Sequence, residues 1–156
     1  MGYAVSERYR QRPRELQQLQ RALELLITEI SYAVTPLPRA LARAGAGAAS
    51  PVRDVFAGAA ERLASQGPAG ADEAWTAALE DNSSALAMSP RDLEVARDLA
   101  AVLPLASARE QVRHLELLCR RLAQHEAAAR ADELRYARLA QQLGVLGALA
   151  IAIVLL

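Results

Sequence analysis

Apolar residues mark this chain out as a succession of helical stripes. Leu16, Leu19, Leu23, Leu26 and Ile30 recur at alternating spacings of three and four, which lines one face of a helix. Glu15, Gln17, Gln18, Arg21, Glu24 and Thr28 fall largely on the other side. The pattern predicts a first helix from about Arg14 to Val34. Its seam spans about two to three heptads, short of the sustained repeat of a coiled coil, so a core-facing bundle helix is expected. Two prolines then interrupt in EISYAVTPLPRAL, Glu29 to Leu41. Thr35 can cap a following helix, Pro36 fits its first position, and Pro38 is tolerated in its first turn. A short second helix from Pro36 to Ala44 is expected, ended by Gly45 and Gly47.

The same punctuation recurs. Ser50-Pro51 opens a third helix with Val52, Val55, Phe56, Ala59, Ala60 and Leu63 inward, and Gly67-Pro68 closes it. A fourth, about Ala71 to Glu80, carries Ala74, Trp75, Ala78 and Leu79. Ser89-Pro90 starts a fifth, with Leu93, Ala96, Leu99, Ala100 and Leu103 as its stripe. Three Ser/Thr-Pro starts with short connections describe stacked helical hairpins. Ser107 and Glu110 read as a capping box for a sixth helix, striped by Val112, Leu115, Cys119, Leu122 and Ala123. Glu116 with Arg120 and Glu126 with Arg130 are favourably oriented pairs on its solvated side. Beyond His125 the stripe thins to alanine, yet nothing interrupts the helix before Gly144.

The chain then ends LGVLGALAIAIVLL, Leu143 to Leu156, without a charge. Fourteen residues make about 21 Å of helix, against a hydrocarbon thickness of ~30 Å. A buried core helix would also read this way. The absence of a polar face, with Arg130, Arg135 and Arg138 just before the run, points instead to a membrane anchor with the arginines on the cytoplasmic side. Arg8, Arg10, Arg12 and Arg14 form a second basic cluster, suited to the cytoplasmic flank of another membrane segment.

Composition agrees with an all-α chain: Ala, Leu, Arg and Glu dominate, and aromatics are only 4% of the 156 residues. Eighteen basic residues, all arginine, balance eighteen acidic ones, so no net field selects nucleic acid. One cysteine allows no internal disulfide. His114, Cys119 and His125, spaced by five and six, do not stack on one helical face, so no metal site is expected. Neither a phosphate-cradling glycine loop nor a nucleophile elbow is present, so neither catalysis nor a cofactor is expected. What remains is interaction surface.

The segments RYRQRPRELQQLQRAL, LELLITEISYAVTPLPRAL, DEAWTAAL and QVRHL, followed by the apolar end, resemble the stage III sporulation protein AB family of endospore-forming bacteria. TEISYAVTPLPRAL is the most specific of them, and the likeness covers nearly the whole chain. The resemblance implies an about six-helix cytoplasmic bundle at residues 14–138, similar to the cytoplasmic domains of type II secretion protein F. Residues 1–13 would then be a basic juxtamembrane segment ending a first transmembrane helix, and residues 139–156 a second membrane segment. It further implies a non-catalytic adaptor of the channel between mother cell and forespore, with the soluble domain in the mother-cell cytoplasm. Its implied partners are the family's AA-type ATPase, other channel proteins, membrane lipid and further copies of itself.

Candidate partner-binding residues are those exposed on the matching motifs: Glu29, Tyr32 and Arg39 at the proline corner, and Gln111, Arg113 and His114 at the start of the sixth helix. Packing or capping would explain each of them equally well, and Tyr32 in particular could fill the corner between the first two helices. The turn before that helix departs from the family's Gly-x-Ser-Asp-Arg-Glu-like pattern: Pro104-Leu105-Ala106-Ser107-Ala108-Arg109 keeps the capping serine but lacks several charges. A second reading, from a different class, is a tail-anchored protein that binds lipid surfaces or oligomerises and has no ATPase partner.

Overall fold

The computed structural model describes residues 2–156 and, within them, helices without a strand. Six α-helices follow in order: α1 (Gly2–Thr28), α2 (Leu37–Gly45), α3 (Val52–Gln66), α4 (Ala71–Asn82), α5 (Pro90–Val102) and α6 (Ala108–Leu155). The fold is all-α, a bundle from which one long C-terminal helix runs out into the hydrophobic tail.

α1 is longer than its apolar stripe suggests. It starts at Gly2 rather than near Arg14 and carries Pro13 in its interior. Pro13 has no N–H to offer the carbonyl one turn back, which normally breaks a helix. Here the ring is buried, and the stretch of α1 just before it is held by α6, through a Tyr9–Tyr136 ring stack at 4.7 Å and an Arg12–Asp132 ion pair at 3.0 Å. Tertiary contact overrides the local signal.

The first helix also ends differently. After Thr28 the backbone widens into a π-turn over Glu29–Ala33, and Val34 turns left-handed at φ 47°. A β-branched residue in that region is strained by its Cβ. Thr35 does not cap α2, because its hydroxyl donates instead to Glu29 Oε2 at 2.5 Å. Pro36 takes the cap position with extended backbone, and α2 begins at Leu37.

The core joins all six helices. Phe56 of α3 and Trp75 of α4 meet edge to face at 5.0 Å, both fully buried, and the Trp75 indole donates to the Ala96 carbonyl of α5 at 2.7 Å. Gly45 does more than end α2: a Cβ there would come 2.3 Å from Phe56 Cβ, so glycine is what lets α2 lie against α3. The stripe of α6 is Leu115, Leu118, Leu122 and Ala129; Leu118 is buried, whereas Ala123 is exposed. Of the two i,i+4 pairs read from the sequence of α6, Glu126–Arg130 is closed at 2.8 Å. From Ala137 onward every residue of α6 is exposed, so the apolar run is no core helix. α6 is long and apolar enough to cross a membrane.

Candidate functional site

Two polar constructions stand out along the antiparallel α1–α6 pair, one midway and one at the end where α1 turns into α2. The first surrounds Asp92, the third residue of α5. The Ser89 hydroxyl accepts from the Asp92 N–H at 3.2 Å, and the Asp92 carboxylate accepts from the Ser89 N–H at 2.9 Å, a reciprocal cap. The same carboxylate, fully buried, receives a two-pronged bond from Arg12 of α1 at 2.7 and 3.1 Å, and His125 Nδ1 of α6 lies 2.7 Å away. Burial would push this carboxyl up; the bonds from Arg12, His125 and the Ser89 N–H outweigh it and hold it at about 2. Arg12 also reaches Asp132, and its guanidinium is held more firmly protonated, chiefly by its bond to Asp92. One acid thus locks α1, α5 and α6 together.

One turn along α1, Glu15 is almost fully buried with a single strong partner, the Ala87 N–H at 2.7 Å. Desolvation dominates here and pushes its carboxyl up to about 7, against the lowering effects of that bond and of Arg8. Arg8 donates to the Leu86 carbonyl at 3.2 Å. Arg8 and Arg12, read from the sequence as membrane-flanking residues, therefore make contacts within the bundle. Arg10 and Arg14 are exposed, as are Arg130, Arg135 and Arg138.

The second construction is the proline corner. Glu29 accepts from the Thr35 hydroxyl and from Arg43 at 3.3 Å; with Arg39 adding a weaker charge effect, these hold its carboxyl below the usual range. Glu29 fastens the π-turn to α2, and Tyr32 and Val34 project from that turn, 85% and 83% exposed. Tyr32 does not fill the corner. Arg39 is exposed on the first turn of α2.

A groove of about 570 Å³ lies beside this corner, walled by Pro36, Leu37 and Pro38 on one side and by Leu103, Pro104 and Gln111 on the other. Gln111 donates to the Leu103 carbonyl at 2.9 Å and so shapes the wall rather than standing free. His114 faces a different groove of about 650 Å³ between α5 and α6, with Asp98, Leu117 and Arg121. Arg113 is exposed. The two motif groups therefore meet only through Gln111.

Sequence reasoning missed the Asp92 cluster. Ser89-Pro-Arg-Asp92 carries the cap signal, but nothing local names Arg12, 80 residues away, or His125, 33 away. Cys119 is half-buried, its thiol pushed up to about 11 by burial first and then by Glu24 and Glu116, so it behaves as an unreactive core neighbour. Among the described residues no group of three or more His, Cys, Asp or Glu side chains is placed to hold a metal ion.

These features define a helical bundle carried on one long helix whose exposed apolar end can enter a membrane, a protein of surfaces and clamps. The chain belongs to the stage III sporulation protein AB family, whose sequence model matches residues 1–156. It is 28% identical over 155 residues to stage III sporulation protein AB of Bacillus subtilis (strain 168), spanning 99% of this chain and 90% of that relative. A solved structure of a stage III sporulation protein AB superposes with a TM-score of 0.73 at 28% identity, covering 80% of this chain and 98% of that one.

Proposed function

We propose that this protein is a membrane-anchored adaptor of the channel between mother cell and forespore. Its bundle stands in the mother-cell cytoplasm on α6 and receives a secretion-type ATPase of the family's AA kind at the proline corner. In this reading it resembles the platform proteins of type II secretion and carries no chemistry of its own. The tail enters the membrane, and the Asp92 cluster makes α6 and the bundle one rigid lever between membrane and partner.

The observation that carries the docking face is the exposure of Tyr32 and Val34 on a strained π-turn. Strain of about 1–3 kcal/mol persists only where surrounding structure enforces it, and it gathers at functional sites. An exposed aromatic beside an apolar groove is also what a partner anchors on. Titration of the full-length chain in detergent against the AA-type ATPase tests the reading. Saturable binding weakened at least tenfold by Tyr32→Ala with Arg39→Glu is expected. Unchanged binding by that variant removes the corner as the face. No binding up to about 100 µM, roughly −5.5 kcal/mol, favours the alternative of a lipid-binding or self-associating protein without an ATPase partner.

A further inference from the structure

The two arginine clusters are far apart in sequence and meet at one end of the fold. Tyr9 stacks on Tyr136 and Arg12 pairs with Asp132, which fixes the register of α1 against α6. Carried one helical turn further, that register brings Val5 level with about Leu139 and Tyr3 level with Gln141 and Gln142, at the foot of the apolar tail. Arg10 falls level with Arg135. α1 thus lays its first turns along the last stretch of α6 before the tail leaves the bundle.

The surface assembled there has the layered chemistry of a membrane interface. Tyr3 is 83% exposed, and Val5 and Leu139 are exposed with it, so an apolar and aromatic band borders the start of the tail. Tyrosine prefers this depth, where its ring meets the acyl boundary and its hydroxyl meets water. Below the band stand Arg138, Arg135 and Arg10, all exposed and in no ion pair among the described residues. Along α6, Arg138 lies about 7.5 Å and Arg135 about 12 Å from Leu143, so Arg138 stands within the ~8 Å screening length of a charged surface and Arg135 comes within it by extending its long side chain toward the tail. Of the acids at this end, Asp132 holds Arg12 and Glu126 holds Arg130, while Glu7, bonded to the neutral Gln11 amide at 3.0 Å, and the half-buried Glu133 keep their charges beside the three arginines.

We propose that Tyr3, Arg10, Arg135 and Arg138 form one collar, built from α1 and α6, that binds anionic lipid headgroups of the membrane the tail enters. The proposal rests on the tail being a membrane anchor. Charge selects the occupant, since three unpaired guanidiniums match phosphate oxygens and need no protein of complementary shape.

The test uses the full chain with vesicles of phosphatidylcholine alone and of an equimolar mixture with phosphatidylglycerol. Flotation is read first, then the relative association of spin-labelled phosphatidylglycerol and phosphatidylcholine with the inserted protein. The expected result is flotation with both vesicles and a several-fold preference for phosphatidylglycerol that vanishes at about 1 M salt, where screening shortens to ~3 Å. Arg10→Gln/Arg135→Gln/Arg138→Gln should abolish the preference. Arg53→Gln/Arg97→Gln/Arg109→Gln, equal in charge but on exposed sites elsewhere, should keep it. Equal association of both lipids overturns the collar and leaves the anchor standing. Salt-sensitive flotation on the anionic vesicles alone keeps the collar and removes the anchor. Flotation on neither overturns both, and a preference that both triple variants lose equally reduces the collar to net charge.

Discussion

Two regions of the α1–α6 pair, the buried cluster midway along it and the corner at its end, solve opposite problems with similar residues. At the buried cluster, a glutamate and an aspartate are out of solvent, and Asp92 is cross-bonded to two helices besides its own. At the corner, Glu29 also accepts from a hydroxyl and an arginine, but in a half-exposed setting that fastens a π-turn carrying exposed Tyr32 and Val34. A carboxylate with every lone pair engaged in a dry site sets the angle between helices, because moving any helix strands a charge. A carboxylate at the surface tethers a loop without that penalty. The first arrangement suits a rigid joint between helices, and the second holds an exposed turn in a set shape without burying a charge.

The largest expected effect breaks the buried cluster. Asp92→Ala removes the α5 cap and leaves Arg12 and His125 without their shared partner, which should cost about 3–5 kcal/mol in urea unfolding of the detergent-solubilised protein. A loss under about 1 kcal/mol would mean that the cluster does not hold the helices together.

The next effect is carried by pH. Glu15 ionises at about 7 in the folded chain against 4.5 ordinarily, so its ionisation opposes folding. The cost is fully present above pH 7, shrinks as pH falls, and is gone below about 4.5. Asp92 works the other way: its contribution is intact above 3.8 and is lost as pH falls toward 2. Stability should therefore peak near pH 4 to 5. Glu15→Gln, which keeps an acceptor for the Ala87 N–H, should remove the decline between pH 5 and 8 and gain about 2–3 kcal/mol at pH 8. A wild-type profile flat across that range would contradict the burial of Glu15.

A smaller change sharpens the corner. Val34 is 83% exposed and left-handed, so Val34→Gly loses little burial and relieves a Cβ clash. A gain of about 1 kcal/mol is expected in thermal unfolding, together with weaker ATPase binding as the corner loses its imposed shape. Destabilisation would show that the left-handed turn carries no strain.

The contrast also explains what the sequence made legible. Ser89-Pro90, Gly67 and the 3.6-residue stripes are local signals, and they place α2 to α6 within a few residues. The charge-free end of α6 was equally readable. The start of α1 was not, because Pro13 amid arginines reads as a break, and only packing against Tyr136 and Asp132 keeps the helix whole. At the corner, Tyr32 and Arg39 could be picked out as exposed, whereas Glu29 is partly covered, and the diversion of Thr35 from cap to Glu29 partner depends on a π-turn that no pattern announces. Arg12 looked like a flank residue for the same reason that nothing in the pattern marked Asp92. Each shows its role only when three helices from distant parts of the chain meet.

Hydrogen–deuterium exchange of the full chain in lipid nanodiscs, with and without the AA-type ATPase, tests the difference between the two regions most directly. The account expects slow exchange around Arg12, Asp92 and His125 in both states. It expects fast exchange from Glu29 to Leu37 in the free chain and protection there when the ATPase binds. Protection confined to other faces, or an Asp92 cluster that exchanges as freely as the corner, would contradict it.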